Sequence, residues 1–349
     1  PFNRMFPLSH LSWLKCHKPA LLEKAHFICM TTDYVNYRLT GNWGIDPSTA
    51  TTFYLQDQVN GKWYLPYLNL LGIPTSKLPP ILPSSTVLGT ITEEAAKKTG
   101  LLQGTPVVLG AFDHPCAARG SGVFHEGQML ISCGTSWVGF YPVKNRQIAI
   151  QQNMLIDPFL NPNGEWGAMF SLAAIGESVD KLVRRYISDE ADRYIEFDRL
   201  SAMARSGANG LFINPLSVQP IPNIDKFAKE DIARAIMEGT VYLLKVKADN
   251  LCEVGINATS AVMVGGPSET YPWPQILSDI MGMQLSVING SCAGAVGAAV
   301  LAGIGVGIFE NEKDAFNKLD FEEKTISPNQ SLHMEYERLY QQFLRVQLN

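Results

Sequence analysis

Apolar positions recur at helical spacings from Leu11 to Leu39, among them Leu11, Leu14, Leu21, Leu22, Ala25, Ile28 and Tyr34. Pro19 interrupts it, so the pattern predicts two helices or a helix and a turn. Gly41 to Trp63 is rich in Thr, Ser, Asp and aromatics and reads as loop or short strands. Leu65 to Leu71 fits a short helix with Pro66 in its first turn, and the prolines between Leu78 and Val87 read as an extended linker. From Gly104 onward strand patterns enter. Pro106 to Phe112 and Gly127 to Tyr141 are predicted strands, and helices are expected over Gly176 to Tyr186, Ile195 to Ala204 and Lys229 to Val254. A β-branched run, Ser260 to Val264, ends at Gly265-Gly266. A helix (Pro274 to Met281), a short strand (Leu285 to Ile288), a small-residue helix (Ala293 to Ile304) and an amphipathic helix (Leu332 to Val346) complete the reading. Strands alternating with helices predict an α/β fold with a parallel or mixed sheet.

The chain has 349 residues, enough for about two domains, and begins with Pro1. Hydrophobic residues make up 46% and charged residues 17%, which supports a folded core and excludes a disordered chain. The net charge of −5 argues against nucleic acid as a partner. No apolar run approaches the roughly 20 residues of a membrane-spanning helix, and no secretory signal is visible. The six cysteines are scattered without a C-x-x-C pair, as in a reduced cytoplasmic protein. The six histidines form no ligand cluster, so no metal-ligating residue is assigned.

Three stretches carry candidate chemistry. In Val107-Val108-Leu109-Gly110-Ala111-Phe112-Asp113-His114-Pro115 an apolar strand leads to an acid at the rim of the sheet, where ligands bind. Asp113 there is either a general base or a helix N-cap. Met129 to Ser136 runs into Gly134-Thr135-Ser136, which is either a plain hairpin turn or a loop offering N–H groups and hydroxyls to an anion. Ala261 to Ser268 ends a buried strand at Gly265-Gly266-Pro267, either a tight strand–helix turn or a surface on which adenine can lie. There is no Gly-Lys-Ser/Thr loop and no Gly-x-Ser-x-Gly elbow, which removes P-loop and α/β-hydrolase chemistry.

The order and flanks of these stretches resemble the FGGY carbohydrate kinases over nearly the whole chain. Phe6 to Lys15 looks like that family's first signature, centred on Trp13, with His10 where the family has lysine. Thr32-Asp33-Tyr34, Tyr37 to Gly41 and Asp46-Pro47-Ser48-Thr49-Ala50 are similar to its substrate-side segments. Asp113 falls on the catalytic aspartate, and Gly134-Thr135-Ser136 on a phosphate loop. Gly207 to Leu211 and Arg234-Ala235 with Glu238-Gly239 match further blocks. Gly265-Gly266 with Trp273, Gln275, Asp279 and Gly282 matches the adenosine motif, and Gly297-Ala298-Ala299 the closing helix. Departures are Pro267-Ser268-Glu269-Thr270 in place of Gly-Ala-Lys-Ser, a short loop between Leu216 and Asp225, and His114-Pro115 after the aspartate.

The resemblance implies an actin-like ATPase (ribonuclease H-like) fold of two domains around a cleft. Residues 1–101 would belong to the first, sugar-binding domain, left incomplete, and residues 102–349 would form the nucleotide-binding domain. It further implies that the family's N-terminal region, with a first phosphate loop and a magnesium-binding aspartate, is not in this chain. The implied activity is ATP-dependent phosphorylation of a small sugar, a ketopentose such as xylulose or ribulose. The alternative is a non-catalytic sugar- or nucleotide-binding protein derived from such a kinase. On this reading Asp113 is the catalytic base, and Asp46, Asp113 and His114 contact sugar. Gly134, Thr135, Ser136, Gly176, Gly265, Gly266 and Pro267 hold nucleotide. ATP and Mg²⁺ are the implied cofactors. ATP and sugar are the partners, to the exclusion of nucleic acid and membrane, and a homodimer is compatible with the reading.

Overall fold

The structure, a computed structural model, describes residues 6–347. The chain separates into two compact units, each assembled from three segments. Unit 1 comprises 1–122, 156–167 and 294–320, and unit 2 comprises 123–155, 168–293 and 321–349. The expected domain boundary after residue 101 lies inside unit 1. The physical reason is a strand pair across it: Val87–Thr90 and Pro106–Val108 lie antiparallel, which ties the chain on both sides of residue 101 together.

Unit 1 opens with the helices Pro7–His17, Pro19–Lys24 and Thr31–Thr40. Pro19 starts the second of these, where its missing N–H costs nothing. Gly41 ends the third in a left-handed conformation, φ 79°. The stretch read as loop or short strands contains a further helix, Pro47–Thr51, beside the small strand pair Gln56–Asp57 and Lys62–Trp63. The predicted helix Leu65–Leu71 is present. Leu11, Ile45, Phe53, Leu55, Trp63 and Leu68 are buried together as the core of this part. The strand expected over Pro106 to Phe112 stops at Val108. Beyond it the chain runs irregularly to Phe112, and the helix Asp113–Gly120 begins.

Unit 2 is built on a twisted sheet. Six of its seven strands are, in chain order, β1 (Gly127–Cys133), β2 (Trp137–Val143), β3 (Trp166–Leu172), β4 (Ala258–Val264), β5 (Gln284–Ile288) and β6 (Glu323–Ile326). They lie in the order β6-β5-β4-β1-β2-β3, and a seventh strand, Leu155–Asp157, borders β3 at the edge. β1 pairs with β4 in parallel and with β2 antiparallel, and β5 pairs with β4 in parallel. The sheet is therefore mixed, and β1 and β4 are buried at their centres. The 24-residue helix Lys229–Cys252 is buried along most of its length and packs against Arg193–Met203 and Trp273–Met281. Inside it Arg234 Nε donates to Glu238 Oε1 at 2.7 Å, and the Tyr336 hydroxyl donates to the same oxygen at 2.8 Å. Among the described residues no helix is long and apolar enough to cross a membrane.

Candidate functional site

The side chains and turns expected to carry chemistry fall into two groups, one in each unit. In unit 2, β1 ends at Cys133 and turns back through Gly134-Thr135-Ser136 into β2. It is a hairpin turn, with Gly134 N–H donating to the Ser136 carbonyl at 3.3 Å. The turn is also fastened to the helix Ile175–Tyr186. Gly176 N–H donates to the Thr135 carbonyl at 2.9 Å, and Ala174 N–H donates to Ser136 Oγ at 3.0 Å. A Cβ on Gly176 would collide with the Gly134 carbonyl, so this approach requires glycine.

The neighbouring parallel strand β4 ends at Gly265, φ 98°, whose missing Cβ leaves room for the Cys133 carbonyl. Gly266 to Glu269 then form a single 3₁₀ turn, with Ser268 Oγ donating to the Gly265 carbonyl at 2.7 Å. Two adjacent parallel strands thus end side by side in turns without bulk, the position at which α/β sheets bind ligands.

Between these turns and the helices opens a cavity of about 630 Å³. That volume lies within the range of small-molecule and cofactor sites. Gly134, Thr135, Gly176, Gly266 and Pro267 line one part of it, and Val179, Phe197 and Trp273 supply apolar wall. Trp137 and Phe197 sit 5.2 and 6.2 Å from the Trp273 ring, centroid to centroid. The cavity therefore combines exposed backbone and a hydroxyl with an aromatic wall, which suits a phosphate at one part and a planar base at another.

Two aspartates border the cavity and differ in character. Burial works against ionised Asp180, but Arg184, Tyr194 and Arg193 outweigh it and hold its pKa down at about 2. Burial pushes Asp198 up to about 6, and its Oδ1 has no hydrogen-bond partner among the described residues. Ser136 and Gly265 do not line the cavity themselves; they brace it. Glu269, where the resembling family carries lysine, accepts from the Ser291 N–H and hydroxyl, both at 2.8 Å, and does not line it either.

In unit 1, Asp113 is the first residue of its helix, after an extended Phe112, and it is not the cap residue. Its side chain is 71% exposed, and Oδ1 accepts from the His114 N–H at 2.8 Å. The helix behind it is rigidly seated. Pro115 to Gly120 are buried, and the buried Arg119 donates to the Phe159 carbonyl at 2.8 Å and to Glu312 at 3.1 Å. His114 Nε2 lies 3.9 Å from Asp113 Oδ1. Burial lowers the His114 pKa against the opposing pull of Asp113, which favours a neutral ring.

Asp46, expected among the sugar contacts, is buried. Its Oδ1 caps the helix Pro47–Thr51 by accepting from Thr49 N–H at 2.7 Å. Burial raises its pKa to about 6. Asp46 thus has a structural role as a helix cap in addition to the expected sugar contact. Sequence reasoning also passed over Ser48 and Asp157, which are buried and hydrogen-bonded next to Phe112. Ser48 stood in a recognised segment, but nothing local pointed to Asp157, which lies 109 residues further on.

The N-terminal domain model of the FGGY family of carbohydrate kinases matches residues 1–120, and the C-terminal domain model matches residues 129–306. An autoinducer-2 kinase from Yersinia pestis is 30% identical over 368 residues, covering 96% of this chain and 66% of that protein. A xylulose kinase structure from Rhodospirillum rubrum superimposes with a TM-score of 0.81 at 24% identity, covering 99% of this chain and 72% of that one. A Plasmodium falciparum glycerol kinase structure with ADP gives a TM-score of 0.81 at 18% identity, covering 100% and 73%. The chain spans about two thirds of the length of the curated relative. The neighbours carry the actin-like ATPase fold.

Proposed function

The chain belongs to the FGGY family of carbohydrate kinases, and from that premise we propose that it transfers the γ-phosphate of ATP to a hydroxyl of a small sugar. The observation that carries the proposal is the glycine-walled cavity at the adjoining ends of β1 and β4. On this reading Thr135 and the backbone at Gly134, Gly176, Gly266 and Pro267 hold nucleotide, while Val179, Phe197 and Trp273 take up the base. Asp113 accepts the proton of the attacking hydroxyl. A carboxylate fixed on a buried helix and open to solvent is suited to that role. His114 beside it, its pKa lowered by burial, is read as the sugar's hydrogen-bond partner.

Among the described residues no group of three or more His, Cys, Asp or Glu is arranged to hold a metal ion. Mg²⁺ in nucleotide sites is bound mainly by phosphate and water. When bound, Mg²⁺ offsets charge on the transferring phosphoryl oxygens.

The proposed acceptor class is a ketopentose such as xylulose or ribulose. The names of the relatives widen the panel to autoinducer-2 and glycerol. The test is ADP release by the intact gene product over that panel, with Asp113→Asn beside it. Sugar-dependent ADP release that Asp113→Asn reduces by about 100-fold or more supports the reading. Nucleotide binding without turnover on any acceptor would identify a non-catalytic binding protein instead.

A further inference from the structure

A buried hydrogen-bonded chain in unit 1 ends on the residue that precedes Asp113. Ser48 Oγ donates to Asp157 Oδ2 at 2.6 Å and accepts from the Phe112 backbone N–H at 3.1 Å. Ser48 is 2% exposed and Asp157 0%. A serine hydroxyl has one proton, and here Asp157 takes it, so the rotor is fixed and a lone pair faces the Phe112 N–H. Asp157 is itself held, with Oδ1 accepting from Phe159 N–H at 2.8 Å. Burial drives its carboxyl upward, and Ser48, the Phe159 N–H and the Arg119 guanidinium pull it back.

The backbone that this hydroxyl grips is otherwise loosely specified. Leu109 N–H is held by the Thr86 carbonyl at 2.9 Å, and regular hydrogen bonding resumes where Cys116 N–H donates to the Phe112 carbonyl at 2.9 Å. Between them Gly110 to Phe112 form neither strand nor helix. The Ser48 contact falls at the end of that gap, one peptide before the carboxylate.

We propose that Ser48 and Asp157 are positioning residues for Asp113: they fix the Phe112 N–H and through it the place of the first helical residue. The proposal rests on the reading of Asp113 as base. Displacing a reacting group by about 1 Å can cost on the order of 100-fold in rate. Losing this anchor should therefore appear in kcat, with KM for ATP close to wild type.

The experiment is a double-mutant cycle on the intact gene product, with kcat and KM for ATP measured on its best acceptor sugar. Ser48→Ala is expected to lower kcat by about 10- to 100-fold, with KM for ATP within about twofold of wild type. Asp157→Asn, which keeps an acceptor for the Ser48 hydroxyl, and Ser48→Thr, which keeps the hydroxyl, should retain most of the turnover. Ser48→Ala combined with Asp113→Asn should be no slower than Asp113→Asn alone, because the serine acts only through that carboxylate. A general loss of folding would not give that non-additivity. If Ser48→Ala fails to fold, the same cycle with Asp157→Ala replaces it. Wild-type kcat in Ser48→Ala, or multiplicative losses in the double variant, would overturn the proposal. Near-normal turnover in Asp113→Asn alone would instead overturn the base assignment.

Discussion

Gly265 and Gly266 are chain neighbours with opposite demands, and substituting alanine at each separates what the turn needs from what the cavity needs. At Gly265 the backbone sits at φ 98°, and a Cβ would fall on the Cys133 carbonyl and its backbone neighbours, closer than real Cβ atoms approach. The conformation costs an L-residue about 1–2 kcal/mol, and forcing the methyl against backbone adds about 1–3 kcal/mol. A total near 3 kcal/mol corresponds to a fall in melting temperature of roughly 6–12 °C in a domain of this size. At Gly266 there is no positive φ and nothing within 4 Å of the added Cβ. The residue lines the cavity, so the methyl projects into space that a nucleotide would use. Gly266→Ala should melt within about 2 °C of wild type and raise KM for ATP about tenfold, roughly 1.4 kcal/mol of binding. Differential scanning fluorimetry with a coupled ADP assay reads both quantities. A Gly265→Ala protein as stable as wild type would refute the steric argument. An unchanged KM in Gly266→Ala would remove the cavity from nucleotide binding.

Asp33 is buried, and burial raises its pKa to about 6 against the opposing pull of backbone N–H groups. A carboxyl near 3.9 in the unfolded chain that rises on folding binds extra protons in the native state, so stability falls as pH rises from about 4 to 6 and then levels off. Asp33→Asn should therefore melt higher than wild type at pH 8 and show a flatter profile from pH 4 to 6; a lower melting temperature at pH 8 would contradict this. Glu238→Gln weakens the buried arrangement with Arg234 and Tyr336 and leaves the guanidinium uncompensated, at a cost of about 3–5 kcal/mol. Urea denaturation measures it, and a loss under 1 kcal/mol would show that the charge is relieved elsewhere. Asp113→Asn should keep the wild-type affinity for ATP, read by calorimetry, because the residue lies outside the nucleotide cavity; weaker binding would move it from base to ligand.

Local rules were enough to place the helices that carry their own punctuation. Pro19, Gly41, Gly72 and Gly282 begin or end helices where their backbone preferences require. The hairpin and phosphate-loop readings of Gly134 to Ser136 are compatible: the same turn closes two strands and borders the cavity. Local rules failed where a residue's role is set by a distant partner. The resemblance of its segment marks Asp46 as a sugar contact, while its burial and its contact with the Thr49 N–H show only in the structure. The strand predicted to reach Phe112 stops at Val108 because its pairing with Val87–Thr90 runs out there. Trp166–Leu172 went unrecognised because it is buried without a polar alternation.

The division of each unit into three chain segments also bears on synthesis at the ribosome. The chain passes between the units at residues 122, 155, 167, 293 and 320. The helix that begins at Asp113 is emitted early, yet Asp157, Phe159, Gly297 and Glu312, which anchor or seat it, are translated later. Unit 1 therefore cannot complete its packing before its last segment, residues 294–320, is translated. The helix Asp113–Gly120 waits for sequence that emerges after most of unit 2, and a stalled or truncated product ending near residue 290 would expose the face that Gly297 covers, marking it for chaperones and proteases.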